Sequence, residues 1–295
     1  MKKIYIIAIL LAFSFFSCKE NEEITDSILS NATVEKTALD TWIFDNFTKP
    51  YNIEIKYRWD ESEVAGDKIL TPVKPEKVQP FLEAVLKIWI EPYIEVIGAD
   101  FIKKFIPKQL VLVGSGNYMS DGSVMMGQAE SGKKITIFGI NDFSTKRRSK
   151  LVSQFHTIHH EFAHILHQTK MYPTTFGEIT PGEYTNQWYD PKVNKTYKEK
   201  GFITEYSMSN INEDFVEIVS TLLTSEADDW KFKTREFKIY QGEGFGAPVD
   251  EEKTRIAREL IQKKEKIVVD YFKRSWNIDL YELQTIINSA IDNLD

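Results

Sequence analysis

All five histidines of the chain, His156, His159, His160, His164 and His167, fall within the single segment HTIHHEFAHILH. On a helix, residues three and four apart share a face, so this spacing lines imidazoles along one stripe. His160-Glu161-Phe162-Ala163-His164 forms the arrangement H-E-x-x-H. Two imidazoles one turn apart can both reach one Zn²⁺ at about 2.0–2.1 Å, and the glutamate between them can take a proton from a water at the metal. The chemistry indicated is zinc-assisted hydrolysis, with His160 and His164 as ligands and Glu161 as general base and then acid. His156 lies one turn before the first ligand and His159 faces elsewhere; neither is assigned a catalytic role.

A catalytic zinc needs a third protein ligand and an open position. No histidine follows His167, which excludes the continuation H-E-x-x-H-x-x-G-x-x-H, and on a straight helix His167 sits a turn beyond the grip of the other two. Further along, INEDFVEIVS carries Glu213 and Glu217 one turn apart. A second helix could present Glu213 to the metal and Glu217 to the outer N–H of a ligating histidine. Asp214, Glu217 and His167 stay open as alternative third ligands, and a solvated acidic helix face is the plain reading of the same residues.

These side chains need elements to hold them. From Ser144 to about Thr169 there is no Pro or Gly and NDFST precedes the run, so one long helix is expected there. NINEDFVEIVSTLLTSE has helical spacing, and about 45 residues after YQGEGFGAPVD read as two more helices. YNIEIKYRW alternates as a half-buried strand, while KPEKVQPFLEAVLKIWIEPYIEVIG reads as a helical stretch broken by Pro92 and ending at Gly98. KQLVLVGSG and KKITIFGI are apolar, β-branched runs expected in one small sheet. The second precedes the histidine helix and is a candidate edge strand for an extended substrate backbone, or else an ordinary strand. Residues 170 to 205, rich in Pro, Gly, Thr, Asn and Tyr, read as a long exposed loop of the kind that shapes a cleft. The expected fold class is α+β, mostly helical, with a small mixed sheet before the histidine helix.

Composition sets the outer bounds. With 295 residues, 42% hydrophobic and 13% aromatic, the chain can build a substantial core; a net charge of −7 with mixed signs offers no basic face for nucleic acid. Met1-Lys2-Lys3, the apolar run IYIIAILLAF and SFFSC together read as an export signal whose apolar part is short for a spanning helix. Cys18, the single cysteine, falls where a bacterial lipoprotein signal is cut, with Ser17 before it; Phe15 departs from the usual Leu. Residues 1–17 are therefore read as signal peptide, 18–37 as a tether, and 38–295 as the hydrolase domain, with an α/β part to about 170 and a helical part from 171. Attachment to the membrane is by lipid at Cys18 only.

Asn212-Glu213 followed one turn later by Glu217 resembles the gluzincins, thermolysin-type enzymes that carry the same order of residues. That resemblance implies Glu213 as third ligand and Glu217 behind a histidine. Some gluzincins also set a Tyr shortly before the ligand Glu to stabilise the oxyanion, which points to Tyr206, with Tyr184 and Tyr189 as competitors. The lipoprotein signal, HHEFAHILHQ and GFITEYSMSNINEDFVE together resemble the zinc-binding metallopeptidase lipoproteins, also described as substrate import-associated zinc metallohydrolases. This resemblance implies an outer-membrane lipoprotein of a Gram-negative bacterium, acting on a peptide or other polymer beside a TonB-dependent transporter and its binding lipoprotein. The rival expectations are a non-catalytic binding lipoprotein of such an uptake system, with Tyr184, Trp188 and Tyr189 stacking on ligand, and a zinc amidase or deacetylase acting on a non-protein polymer.

Overall fold

The chain's structure is a computed structural model that describes residues 35–64, 68–119, 122, 124–130, 133–242 and 246–294. The signal segment and Cys18 lie outside the described residues. The strands are β1 (Glu54–Lys56), β2 (Gln109–Leu112), β3 (Asn117–Tyr118), β4 (Val124–Met125), β5 (Gly127–Glu130) and β6 (Lys134–Ile137). Four of them form a sheet in the order β1-β2-β6-β5, parallel from β1 to β6 and antiparallel between β6 and β5; β3 and β4 pair separately. In β2 and β6 the apolar run continues through successive buried positions, as strands covered on both faces require.

This order corrects one sequence expectation. KKITIFG is an interior strand, hydrogen-bonded on both sides, and the edge next to it is β5, Gly127-Gln128-Ala129-Glu130. Gly127 and the polar Gln128 weaken any strand pattern there, which is why the run was not legible. The YNIEIKYRW alternation is also cut short, since Lys49–Tyr51 is helical and Asn52 adopts a left-handed turn, leaving only Glu54–Lys56 as strand.

The longer helices are α1 (Pro75–Val85), α2 (Glu91–Ile97), α3 (Ala99–Phe105), α4 (Arg148–Thr169), α5 (Ile211–Thr224), α6 (Glu251–Tyr271) and α7 (Leu280–Asp292). Pro92 does not break the first of these: a π-helical turn over Leu86–Ile90 joins α1 to α2, and the wider turn accommodates the proline that follows. The histidine helix starts at Arg148 rather than Ser144, because Ile140–Asp142 forms a 3₁₀ turn and Arg147 supplies no side-chain cap.

Helix α4 runs through the centre of the core. Phe155, Ile158, Phe162 and Leu166 are all fully buried. Phe162, inside the H-E-x-x-H stretch, meets Trp89 edge-on at 5.4 Å and Tyr93 at 5.2 Å, so the motif is anchored by aromatic packing as well as by helix geometry. Helix α5 packs across α4 and is backed by α6 and α7. Among the described residues no helix is long and apolar enough to cross a membrane.

On its other side α4 is approached by β5. A Cβ at Gly127 would stand 2.3 Å from the Cγ2 of Thr157 and 3.5 Å from the Cγ of Glu161, so only glycine lets the edge strand come this close. Thr157 is β-branched on a helix and has little rotamer freedom to retreat. Gly127→Ala is expected to destabilise the fold by about 1–3 kcal/mol through overpacking. Adding Thr157→Ser, which deletes the opposing methyl, should recover much of that loss in denaturant melts; no recovery would mean that the strand is not held off by this contact.

Candidate active site

Three elements converge where α4 crosses α5. Asn210 starts α5 by accepting hydrogen bonds from the backbone N–H groups of Asn212 and Glu213, which places Glu213 in the first turn, where a carboxylate is favoured by the helix dipole. The Tyr172 hydroxyl donates to Asn212 Oδ1 at 2.6 Å, and its ring stacks on Phe215 at 4.1 Å, fixing the rotation of that turn. Glu213 then faces the imidazoles of α4.

The Nε2 atoms of His160 and His164 stand 3.0 and 3.2 Å from the same oxygen, Glu213 Oε2, and ligand atoms of all three residues lie within 4.8 Å of one another. In a tetrahedral zinc site with bonds of 2.0–2.1 Å, neighbouring ligand atoms are about 3.3 Å apart. Both the spacing and the two-imidazole, one-carboxylate donor set therefore fit zinc. Burial alone would push His160 down, but its hydrogen bonds with Glu213 and Glu217 lift its pKa to about 10. The same two histidines hold the Glu213 carboxyl well below its ordinary range, against a burial effect that would raise it.

Behind the converging atoms, each imidazole is held by its other nitrogen. His160 Nδ1 bonds Glu217 Oε1 at 2.8 Å, and Glu217 Oε2 accepts from the Thr204 hydroxyl at 2.7 Å. His164 Nδ1 bonds His167 Nε2 at 2.9 Å. Burial pushes the His167 pKa down to about 4, which keeps it a neutral acceptor. Such outer partners set the tautomer and direct Nε2 towards a metal.

Glu161 is buried beside this centre, with the backbone N–H of Ala129 in β5 close enough to its carboxylate to favour the ionised form. In β5 the hydrogen-bonded alternation set by Phe138 N–H to Met126 O turns the N–H groups of Gly127 and Ala129 away from β6 and towards α4. Burial raises the Glu161 pKa, with His160 and His164 opposing that shift. Tyr206 opens a 3₁₀ turn, Tyr206–Met208, that brings its ring to 5.9 Å from His160 and its hydroxyl to Glu213. It is 37% exposed while His160 and Glu161 beneath it are buried, so it stands at the open side of the centre. Burial and the neighbouring carboxylates raise its pKa.

The remaining candidates are placed elsewhere. Asp214 pairs with Lys264 and accepts from Tyr184, which removes both Asp214 and Tyr184 from the centre. Glu217 and His167 sit behind the His160 and His164 imidazoles rather than among the converging atoms. Tyr189 packs edge-on against Trp188, which in turn meets Tyr206 at 4.9 Å. His156 bonds Ser220 Oγ at 3.1 Å, and His159 is a neutral core histidine beneath Tyr93, its pKa pushed down to about 3 by burial. Sequence reasoning missed Thr204, His167 as a support, and the Ala129 N–H. The i, i+3 spacing of His164 and His167 was a usable signal; a threonine nine residues before Glu213 carried none.

Comparison with known proteins points the same way. The model of the family described as "Putative zinc-binding metallo-peptidase" matches residues 32–281. A crystal structure from Bacteroides caccae ATCC 43185, of a protein carrying the same description, superposes with a TM-score of 0.67 and 27% identity, covering 88% of this chain and 95% of that one. No curated protein matches the chain.

The His160 geometry has a measurable consequence. With a pKa near 10 the metal-free imidazole is protonated at neutral pH, yet it must be neutral to ligate. Adding zinc to the metal-free chain near neutral pH should release about one proton, read by titration calorimetry in buffers of different ionisation enthalpy. The release should fall away as pH rises through the His160 pKa, and a pH-independent release would contradict this protonation state.

Proposed function

The chain belongs to this family of zinc-binding metallo-peptidases, and from that premise we propose that it is a peptidase whose zinc is held by His160, His164 and Glu213. The observation that carries the proposal is the approach of two imidazole Nε2 atoms to one Glu213 oxygen, with the buried Glu161 carboxylate alongside. Zinc, when bound, supplies Lewis acidity to a water and to the scissile carbonyl oxygen.

The chain's own groups do the rest. Glu161 takes a proton from the attacking water and passes it to the nitrogen of the leaving amine. The raised Glu161 pKa suits both halves of that transfer, and the Ala129 N–H orients the carboxylate. The Tyr206 hydroxyl donates to the carbonyl oxygen as negative charge develops there; a phenol with a raised pKa keeps its proton for this task. Glu217, steadied by Thr204, and His167 hold the two ligand imidazoles in register. The outward backbone groups of β5 that Glu161 does not use supply hydrogen bonds to an extended peptide.

The proposal extends to location. Lys2 and Lys3, the apolar run that follows, and Ser17-Cys18 support lipid attachment at Cys18 in the outer membrane of a Gram-negative cell. There the enzyme would trim peptide for import beside a TonB-dependent transporter and its binding lipoprotein.

Two experiments bear on these readings. Glu161→Gln should retain zinc but lose peptide hydrolysis by at least about 10²-fold in kcat; wild-type turnover in that variant would remove Glu161 from the mechanism. For the anchor, Cys18→Ser should move the protein from the membrane fraction to the soluble fraction of cells and abolish labelling by a palmitate analogue. Continued labelling would place the lipid elsewhere.

A further inference from the structure

One buried ion pair takes no part in the chemistry above. Lys264 of α6 and Asp214 of α5 are both fully buried, with Nζ 2.7 Å from Oδ2. The same ammonium donates to the Gly201 carbonyl at 3.0 Å and lies 3.8 Å over the Phe202 ring. Tyr184 donates to Asp214 Oδ2 at 3.0 Å, while Asp214 Oδ1 has no hydrogen-bond partner among the described residues. Desolvating two charges so completely is unfavourable, and apolar residues of similar size commonly stabilise a core as well or better. Stability is therefore a weak reason for this pair to exist.

Its position supplies a better one. The long loop leaves α4, passes through Tyr184 and returns through Gly201 and Phe202 to Thr204 and Tyr206. Lys264 grips the returning leg at Gly201, and one helical turn earlier in α6 Leu260 fills the space that a Gly201 side chain would need. Three residues beyond that grip, the Thr204 hydroxyl bonds Glu217, which bonds His160. Asp214, for its part, directly follows Glu213 in α5.

We infer that Lys264, held by Asp214, is a positioning residue for the metal centre: it sets the loop so that Thr204 meets Glu217 and so fixes His160. This rests on the reading of His160, His164 and Glu213 as zinc ligands, and not on peptide being the substrate.

The test is a thermodynamic cycle on zinc affinity, measured by chelator competition on the full chain. The variants are Asp214→Leu/Lys264→Met, Thr204→Val, and the two combined, each with its thermal melt. The ion-pair variant is expected to melt near the wild-type temperature yet bind zinc about 10-fold to 100-fold more weakly, as loss of an outer partner does. Thr204→Val should weaken binding comparably, and the combination should be little worse than either alone, because both remove one link. Wild-type zinc affinity in a folded ion-pair variant, or full multiplication of the two losses, overturns the inference. If that variant does not melt cooperatively, Asp214→Asn/Lys264→Met takes its place under the same criteria. Zinc bound by the wild type without any peptide hydrolysis would overturn the peptidase reading and leave this one standing.

Discussion

The structure depends on one contact: a single carboxylate oxygen of Glu213 within reach of two imidazoles from another helix. That contact demands that α4 and α5 cross at one fixed register, and the packing is arranged to supply it. Phe162 is wedged among Trp89, Tyr93 and Phe101 on the far face of α4, while Phe215 stacks on Tyr172 on the near face of α5. A slip of one residue in either helix would turn the ligand face by about 100° and carry it out of the centre. Tight aromatic interdigitation resists such a slip because interiors are packed close to crystal density.

Around this contact the polar groups form a graded set. The innermost atoms converge on one point, the next layer holds the opposite nitrogens of the same rings, and the outermost layer holds the carboxylate that holds a ring. The converging side chains and the two that hold their rings, Glu217 and His167, all come from α4 and α5; the Thr204 hydroxyl behind Glu217 comes from the returning leg of the long loop, and Lys264 of α6 ties that leg. The loop therefore does more than border a cleft. Its backbone is tied at Gly201 and by the Thr185 N–H to the Met208 carbonyl, so the short 3₁₀ turn that carries Tyr206 is held in place from both sides.

How much of this was legible in the sequence follows from how local each signal is. His160, Glu161 and His164 announce themselves because their geometry is set by one helix and its period. Glu213 and Glu217 could be matched to them because a second helical period repeats the one-turn spacing. Beyond that the signals fade. Phe215 and Tyr172 meet across the loop, and Thr204 reaches Glu217 only after the chain turns back, so no spacing in the sequence encodes either pair. The candidate edge strand, KKITIFG, proved to be the ordinary strand of the two readings for a related reason. Hydrophobic strength marks an interior strand, whereas the edge strand beside it, Gly127 to Glu130, is more polar and led by a glycine that lets it lie close to Glu161.

Charge closes the argument. Glu161, Glu213 and Glu217 gather around His160 in a largely buried space, and burial acts against the ionised form of each. In the metal-free chain the protonated His160 is shared between Glu213 and Glu217, while the Glu161 pKa drifts up. One proton on an imidazole is a small countercharge for three carboxylates in a medium of low dielectric. With the proposed ligand set, a divalent cation in contact with Glu213 would replace that proton with a larger charge at the same point and leave His160 neutral to ligate. The centre is therefore built around an ion: its acids are too many for the protein's own cations to balance, and the nearest buried lysine, Lys264, is already committed to Asp214.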